Sequence, residues 1–192
     1  MSVKTHIKNN SLVGIFSNIS SSQLFWIITF SVFTFLSAQV VVPVQPVPFT
    51  LQTMFVLLSG AFLGSRNGAA SQVLYLVAGS IGLPVFAGLG FGFMSLFGPT
   101  GGYLLSFPFA AFLVGYAIEK RNKLSTIIIS FVAGAMLILL AGASYLSLFF
   151  NGDFSKALFS GAIIFSVWDL LKVVAVVSIY KGFAKKYPKL PA

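Results

Sequence analysis

The sequence predicts an all-α membrane protein of six transmembrane helices with both termini cytoplasmic. Three observations lead there. First, the 192 residues are 57% hydrophobic and 8% charged, with a mean hydropathy of +0.97, whereas soluble domains carry roughly 25% charged residues. Second, the apolar residues fall into six runs near the roughly 20 residues that a spanning helix needs. Third, Lys and Arg gather at alternate ends of those runs, which sets orientation.

Residues 1–23 are polar and read as an N-terminal tail. The first run, 24–42, is too long for a signal-peptide core and lacks a small-residue cleavage site. Pro43, Pro46 and Pro48 then enforce an extended link. The second run covers 49–63, GSRNG (64–68) reads as a turn, and the third run covers 69–86, interrupted by Gly79, Gly82 and Pro84. A Gly-rich connection fills 87–102. The fourth run is 103–118, followed by EKRNK; the fifth is 124–150; NGDFSK turns the chain; the sixth is 157–180. The domain boundaries are therefore 1–23 for the tail, 24–180 for the six-helix membrane domain and 181–192 for a basic cytoplasmic tail.

One set of ends carries Lys4, Lys8, Arg66, Lys120, Arg121, Lys123, Lys181, Lys185, Lys186 and Lys189. The other set carries Lys156, and Lys172 lies inside a run. Positive-inside bias puts the first set in the cytoplasm. The net charge of +9 is then mostly a topology signal, with anionic lipid as its partner. No basic face with interleaved aromatics appears, so nucleic acid is not a partner. With no Cys, a Cys nucleophile or thiolate metal site is impossible, and the single His, in the polar tail, argues against His-based catalysis or a His-rich metal site. The chain has no P-loop, no HExxH and no paired intramembrane carboxylates. An enzyme is not expected, and neither is a cofactor.

The long links, VVPVQPVPF and the Gly-rich 87–102, fall on the external side and suggest a site that opens outward. Asp169 and Lys172 sit in the sixth run, about 18 Å from its external end at 1.5 Å per residue. A charge there costs about 2.5–3.5 kcal/mol and marks a functional site by default. Their i, i+3 spacing places them on one helix face, where they form a packing ion pair or serve a polar ligand. In FGPTGGY (97–103), Gly98, Gly101 and Gly102 permit close backbone approach, and the Thr100–Gly102 amides at a helix N-terminus suit an anion. Gln52, Tyr75, Gln72, Gln45 and Gln39 supply neutral donors and acceptors. Gly60-xxx-Gly64 and Thr34-xxx-Ala38 form small-residue ridges for close helix packing, within the fold or against a partner.

VPVQPVPFTLQT (42–53), YLVAGSIGLPVFAG (75–88), FGPTGGYLLSF (97–107) and the Asp169-x-x-Lys172 pair, in this order, resemble the BioY family of biotin-specific S components of energy-coupling factor (ECF) transporters. The resemblance implies a six-helix protein of the cell membrane that captures biotin from outside. Its implied partners are a transmembrane coupling subunit and two ATPase subunits. It also implies ligand contacts from Asp169, Lys172, Gln52, Tyr75, Gly98, Thr100, Gly101, Gly102 and Tyr103. Asp169 is expected to accept from a ureido N–H, Gln52 or Lys172 to donate to the ureido carbonyl, and Tyr75 and Tyr103 to wall the ring. The carboxylate takes the Thr100–Gly102 amides or Lys172. The small-residue ridges are expected to meet the coupling subunit. The competing readings are a proton-coupled secondary transporter using Asp169 and an S component for another vitamin.

Overall fold

A computed structural model describes residues 22–184, so the expected tails lie largely outside the described part. Helix α1 spans Gln23–Ala38 and ends four residues before the expected boundary. The chain there turns into a short antiparallel pair, β1 (Val41–Val42) with β2 (Phe49–Thr50). The three prolines lie in the link between β1 and β2, where no helical N–H is required.

Helix α2 covers Gln52–Ser80 and is folded in two at Gly64, whose φ of 80° and ψ of −179° break the helix. The arms, 52–63 and 65–80, lie side by side. Gln72 Nε2 donates to Ser59 Oγ at 3.0 Å, and Gln52 Nε2 donates to the Tyr75 hydroxyl at 2.7 Å. These arms are the second and third apolar runs, joined by a tighter turn than GSRNG suggests: Arg66 and Asn67 already lie in the helix. The second arm starts early because Glu119 stabilises its first turn. The Glu119 carboxylate accepts from the Ser65 backbone N–H and hydroxyl, each at 2.8 Å, which satisfies an orphan amide and places negative charge at a helix N-terminus. Glu119, read from the sequence as a loop residue, is in fact the penultimate residue of the helix Gly101–Lys120. A Cβ on Gly64 would collide with this carboxylate.

Helix α3 is a short turn, Phe93–Phe97. Helix α4 runs Gly101–Lys120. Helix α5 runs Leu124–Leu146 and continues as a 3₁₀ turn, Ser147–Phe150. Helix α6 covers Phe154–Ala184 and contains a π turn at Phe159–Ile163. Among the described residues, three segments are long and apolar enough to cross a membrane: α4, α5 with its 3₁₀ extension, and α6. Helix α1, at 16 residues, and each arm of α2 fall short of roughly 20.

The hairpin packs chiefly on α4, and α4 on α5. The Gly64 tip, the 121–123 link and the last turns of α6 meet at one end, where Phe62 and Tyr180 rings lie 5.2 Å apart. The links 39–51, 81–100 and 147–153 gather at the other. Among the described residues, Arg66, Lys120, Arg121, Lys123 and Lys181 belong to the tip end, and Lys156 belongs to the other. The outward faces are also apolar: Phe109, Ile129 and Val167 are more than two-thirds exposed. Helices apolar inside and out belong in lipid.

The small-residue ridges are used up inside the fold. A Cβ on Gly60 would strike the Ala111 carbonyl of α4. Thr34 and Ala38 are fully buried, with Thr34 hydrogen-bonded to Gln72. They are not open to a coupling subunit, contrary to expectation; α1 and α2 have turned these faces toward the bundle because only small residues allow such close approach. Gly60→Ala should therefore lower stability in detergent by about 1–3 kcal/mol. Gly182→Ala, with nothing within 4 Å of the added methyl, should leave the melting temperature nearly unchanged; equal melting of the two variants would contradict this packing.

Candidate functional site

A cavity of about 380 Å³ opens at the end that carries the long links, within the roughly 300–1,000 Å³ of small-molecule sites. Its depth follows from α6. Asp169 is 15 residues from each end of Phe154–Ala184 (169 − 154 and 184 − 169), so it lies mid-helix, about 22 Å from either end. Phe165, Asp169 and Lys172 all line the cavity, as their spacing on one helical face dictates. The β2 link contributes Val47, Pro48 and Thr50, and the 81–100 segment contributes Phe86, Gly90, Met94, Ser95 and Gly98.

At the floor, Lys172 Nζ lies 2.8 Å from Asp169 Oδ1. Lys172 also donates to Thr53 Oγ1 at 3.1 Å, and the Thr53 hydroxyl lies 3.3 Å from the same Asp169 oxygen. Both ionised residues are less than a tenth exposed. The pair cancels its own charge, which is what permits its burial. The second Asp169 oxygen accepts no hydrogen bond among the described residues, and Lys172 retains one N–H beyond its two bonds. The floor thus offers an acceptor beside a donor.

Gln52 lines the cavity next to this pair. Its Oε1 accepts from the Thr50 hydroxyl at 2.9 Å, and its Nε2 donates to Tyr75. The Tyr75 hydroxyl in turn donates to the Val85 carbonyl at 3.0 Å. Tyr75 is therefore held behind the cavity wall, 1% exposed, with its ring edge-on to Phe86 at 5.5 Å. It orients Gln52 and Phe86 and does not line the cavity. Gln39 grips the same segment: its Nε2 donates to the Phe86 carbonyl at 3.1 Å, and its Oε1 accepts from the Leu89 N–H at 3.1 Å.

Of the sequence-selected residues, Asp169, Lys172, Gln52, Gly98, Thr100 and Tyr103 converge on the cavity. Gly101 and Gly102 do not. A Cβ on Gly101 would strike the Leu96 carbonyl, and one on Gly102 would strike Tyr145 of α5, so these glycines serve packing. The anion site expected at the Thr100–Gly102 amides is also curtailed, because the Gly101 N–H is taken by the Gly98 carbonyl at 2.9 Å. Gln72 joins Thr34, Ser59 and Ser71 and does not line the cavity, and Gln45 is exposed. Thr53, Phe86, Phe107 and Phe165 were not singled out from the sequence. Thr53 stands beside Gln52 in FTLQT, but its partners are 116 and 119 residues away.

The sequence matches the family model described as BioY family over residues 8–189. It is 39% identical over 150 residues to "Biotin transporter BioY" of Thermotoga maritima, covering 78% of this chain and 88% of the relative. It is 38% identical over 150 residues to "Probable biotin transporter BioY" of Pyrococcus horikoshii, with the same coverage. The fold aligns with a crystal structure of the S-component for biotin from an ECF-type ABC transporter. That alignment has a TM-score of 0.80 at 26% identity and covers 91% of this chain and 94% of the other.

The floor pair makes a thermodynamic prediction. Lys172→Met leaves a buried carboxylate unpaired and should destabilise the protein by about 3–5 kcal/mol. The double variant Asp169→Leu/Lys172→Met should recover most of that loss in a thermal melt, and a double variant less stable than the single would disprove charge cancellation.

Proposed function

This chain belongs to the BioY family, and from that premise we propose that it is the biotin-binding S component of an ECF-type transporter. It is a binding and transport subunit of the cell membrane, not an enzyme. The carrying observation is the Asp169–Lys172 pair: an acceptor beside a donor, electrically neutral as a pair, at the bottom of an aromatic-walled cavity.

The chemistry suits biotin end for end. Its ureido ring presents N–H beside C=O and carries no charge. Buried polar groups need partners, and Asp169 supplies the acceptor while Lys172 or Gln52 supplies the donor. Phe86, Phe107, Phe165 and Tyr103 wall the fused rings. The valerate carboxylate is costly to bury unpaired and belongs toward the mouth, beside Ser95, Gly98 and Thr100, where water can reach it. Tyr75 contributes indirectly, through Gln52 and Phe86.

We further propose that the chain crosses the membrane six times, through α1, the two arms of α2, α4, α5 and α6. The basic Gly64 end is cytoplasmic, the termini are cytoplasmic, and the cavity faces outward. The density of Lys and Arg at that end supports this orientation. Energy for import comes from a transmembrane coupling subunit and two ATPase subunits; the apolar outer faces of the helices meet lipid.

Purified protein should bind biotin in preference to thiamin and riboflavin in competition measurements. Asp169→Asn, which keeps the shape of the side chain, should weaken biotin by at least tenfold; unchanged affinity in a folded variant would remove Asp169 from the site. In membrane vesicles, ATP-driven biotin uptake should require the partner subunits. Uptake by this chain alone, collapsing with the proton gradient, would instead establish a secondary transporter.

A further inference from the structure

Helix α6 does not keep one helical phase along its length. Before the π turn, Ala157 faces the core, and within the turn Gly161 and Ala162 do. After it, Phe165, Asp169, Lys172, Val176 and Tyr180 do. Each residue of an α-helix advances by about 100°. Carrying the phase of Ala157 forward in steps of four and three would turn Ile164, Trp168 and Leu171 inward. These residues are instead 42%, 56% and 57% exposed. The π turn supplies the missing residue: the Ile164 N–H reaches the Phe159 carbonyl, five residues back, and the helix beyond it is rotated by one position.

A π turn leaves one carbonyl without its usual helical donor. The Tyr103 hydroxyl donates to the Gly161 carbonyl at 2.6 Å, inside that turn. Gly161 is required for this approach, because a Cβ there would collide with the same hydroxyl. Tyr103 is itself fixed, its ring lying where Gly142 of α5 leaves no side chain.

We propose that the π turn of α6 is a register device and that Tyr103 is the positioning residue that holds it. By capping Gly161, Tyr103 turns Asp169 and Lys172 into the cavity and leaves Trp168 and Leu171 on the outer face. This role goes beyond the wall its ring forms, because it acts through α6 on groups two and three turns away. It rests on the biotin reading only for the affinity measured below.

The test uses Tyr103→Phe, which keeps the ring, and Gly161→Ala, which displaces the hydroxyl from the other side and leaves every side chain of the cavity lining chemically unchanged. In ligand-free protein, both variants should lose about tenfold of the amide hydrogen-exchange protection across 159–165. Both should also bind biotin three- to tenfold more weakly. Unchanged protection in either variant overturns the proposal. So does normal affinity of Gly161→Ala, which would reduce the Tyr103 hydroxyl to at most a direct ligand contact. Failure of the wild type to bind biotin overturns the functional reading alone, since the exchange measurement involves no ligand.

Discussion

The architecture depends on one constraint: a carboxylate and an ammonium held mid-helix in an apolar protein. Neither is stable there alone, since an isolated charge at that depth costs several kcal/mol. They stay because they face each other at 2.8 Å and share the Thr53 hydroxyl. That sharing requires the first arm of α2 to run against α6 at one register. The register of the arm is fixed by the hairpin, and the hairpin by Gly64 and the Glu119 carboxylate. A chain of mutually dependent contacts thus connects the basic end of the molecule to the cavity floor.

The two core clusters divide the labour. The one around Phe30, Leu57, Phe131 and Tyr180 is a continuous packed layer beneath the site. The one around Tyr75, Phe86, Tyr103 and Phe165 surrounds an empty volume. Close helix contacts at Gly60 and Gly115, where an added Cβ would meet backbone atoms, belong to the hairpin and its partner α4. No buried side-chain donor or acceptor among the described residues lacks a partner, as lipid demands.

Apolar run lengths and basic clusters made the helices legible, because both respond to the bilayer. Asp169 and Lys172 were legible for the same reason: a charge in the wrong solvent stands out. What the sequence hid was set by contacts between distant segments. GSRNG looks like a loop, yet Ser65 is drawn into a helix by a carboxylate 54 residues away. Gly101 and Gly102 look like an anion cradle, yet their bareness admits Leu96 and Tyr145. Tyr75 looks like a ring wall, yet its hydroxyl is committed to Gln52 and Val85. The π turn left only the oblique trace of Ser160-Gly161-Ala162, small residues ahead of a shift in helical phase.

The hold of Gln39 on Phe86 and Leu89 gives the cavity a second anchor besides the floor pair. Hydrogen bonds of this kind contribute about 0.5–1.5 kcal/mol each. Gln39 closes α1, so the 86–89 segment is tied to the first helix of the described chain, whereas Asp169 and Lys172 belong to the last. The wall that Phe86 supplies and the charge pair beneath it are thus fastened from opposite ends of the described sequence.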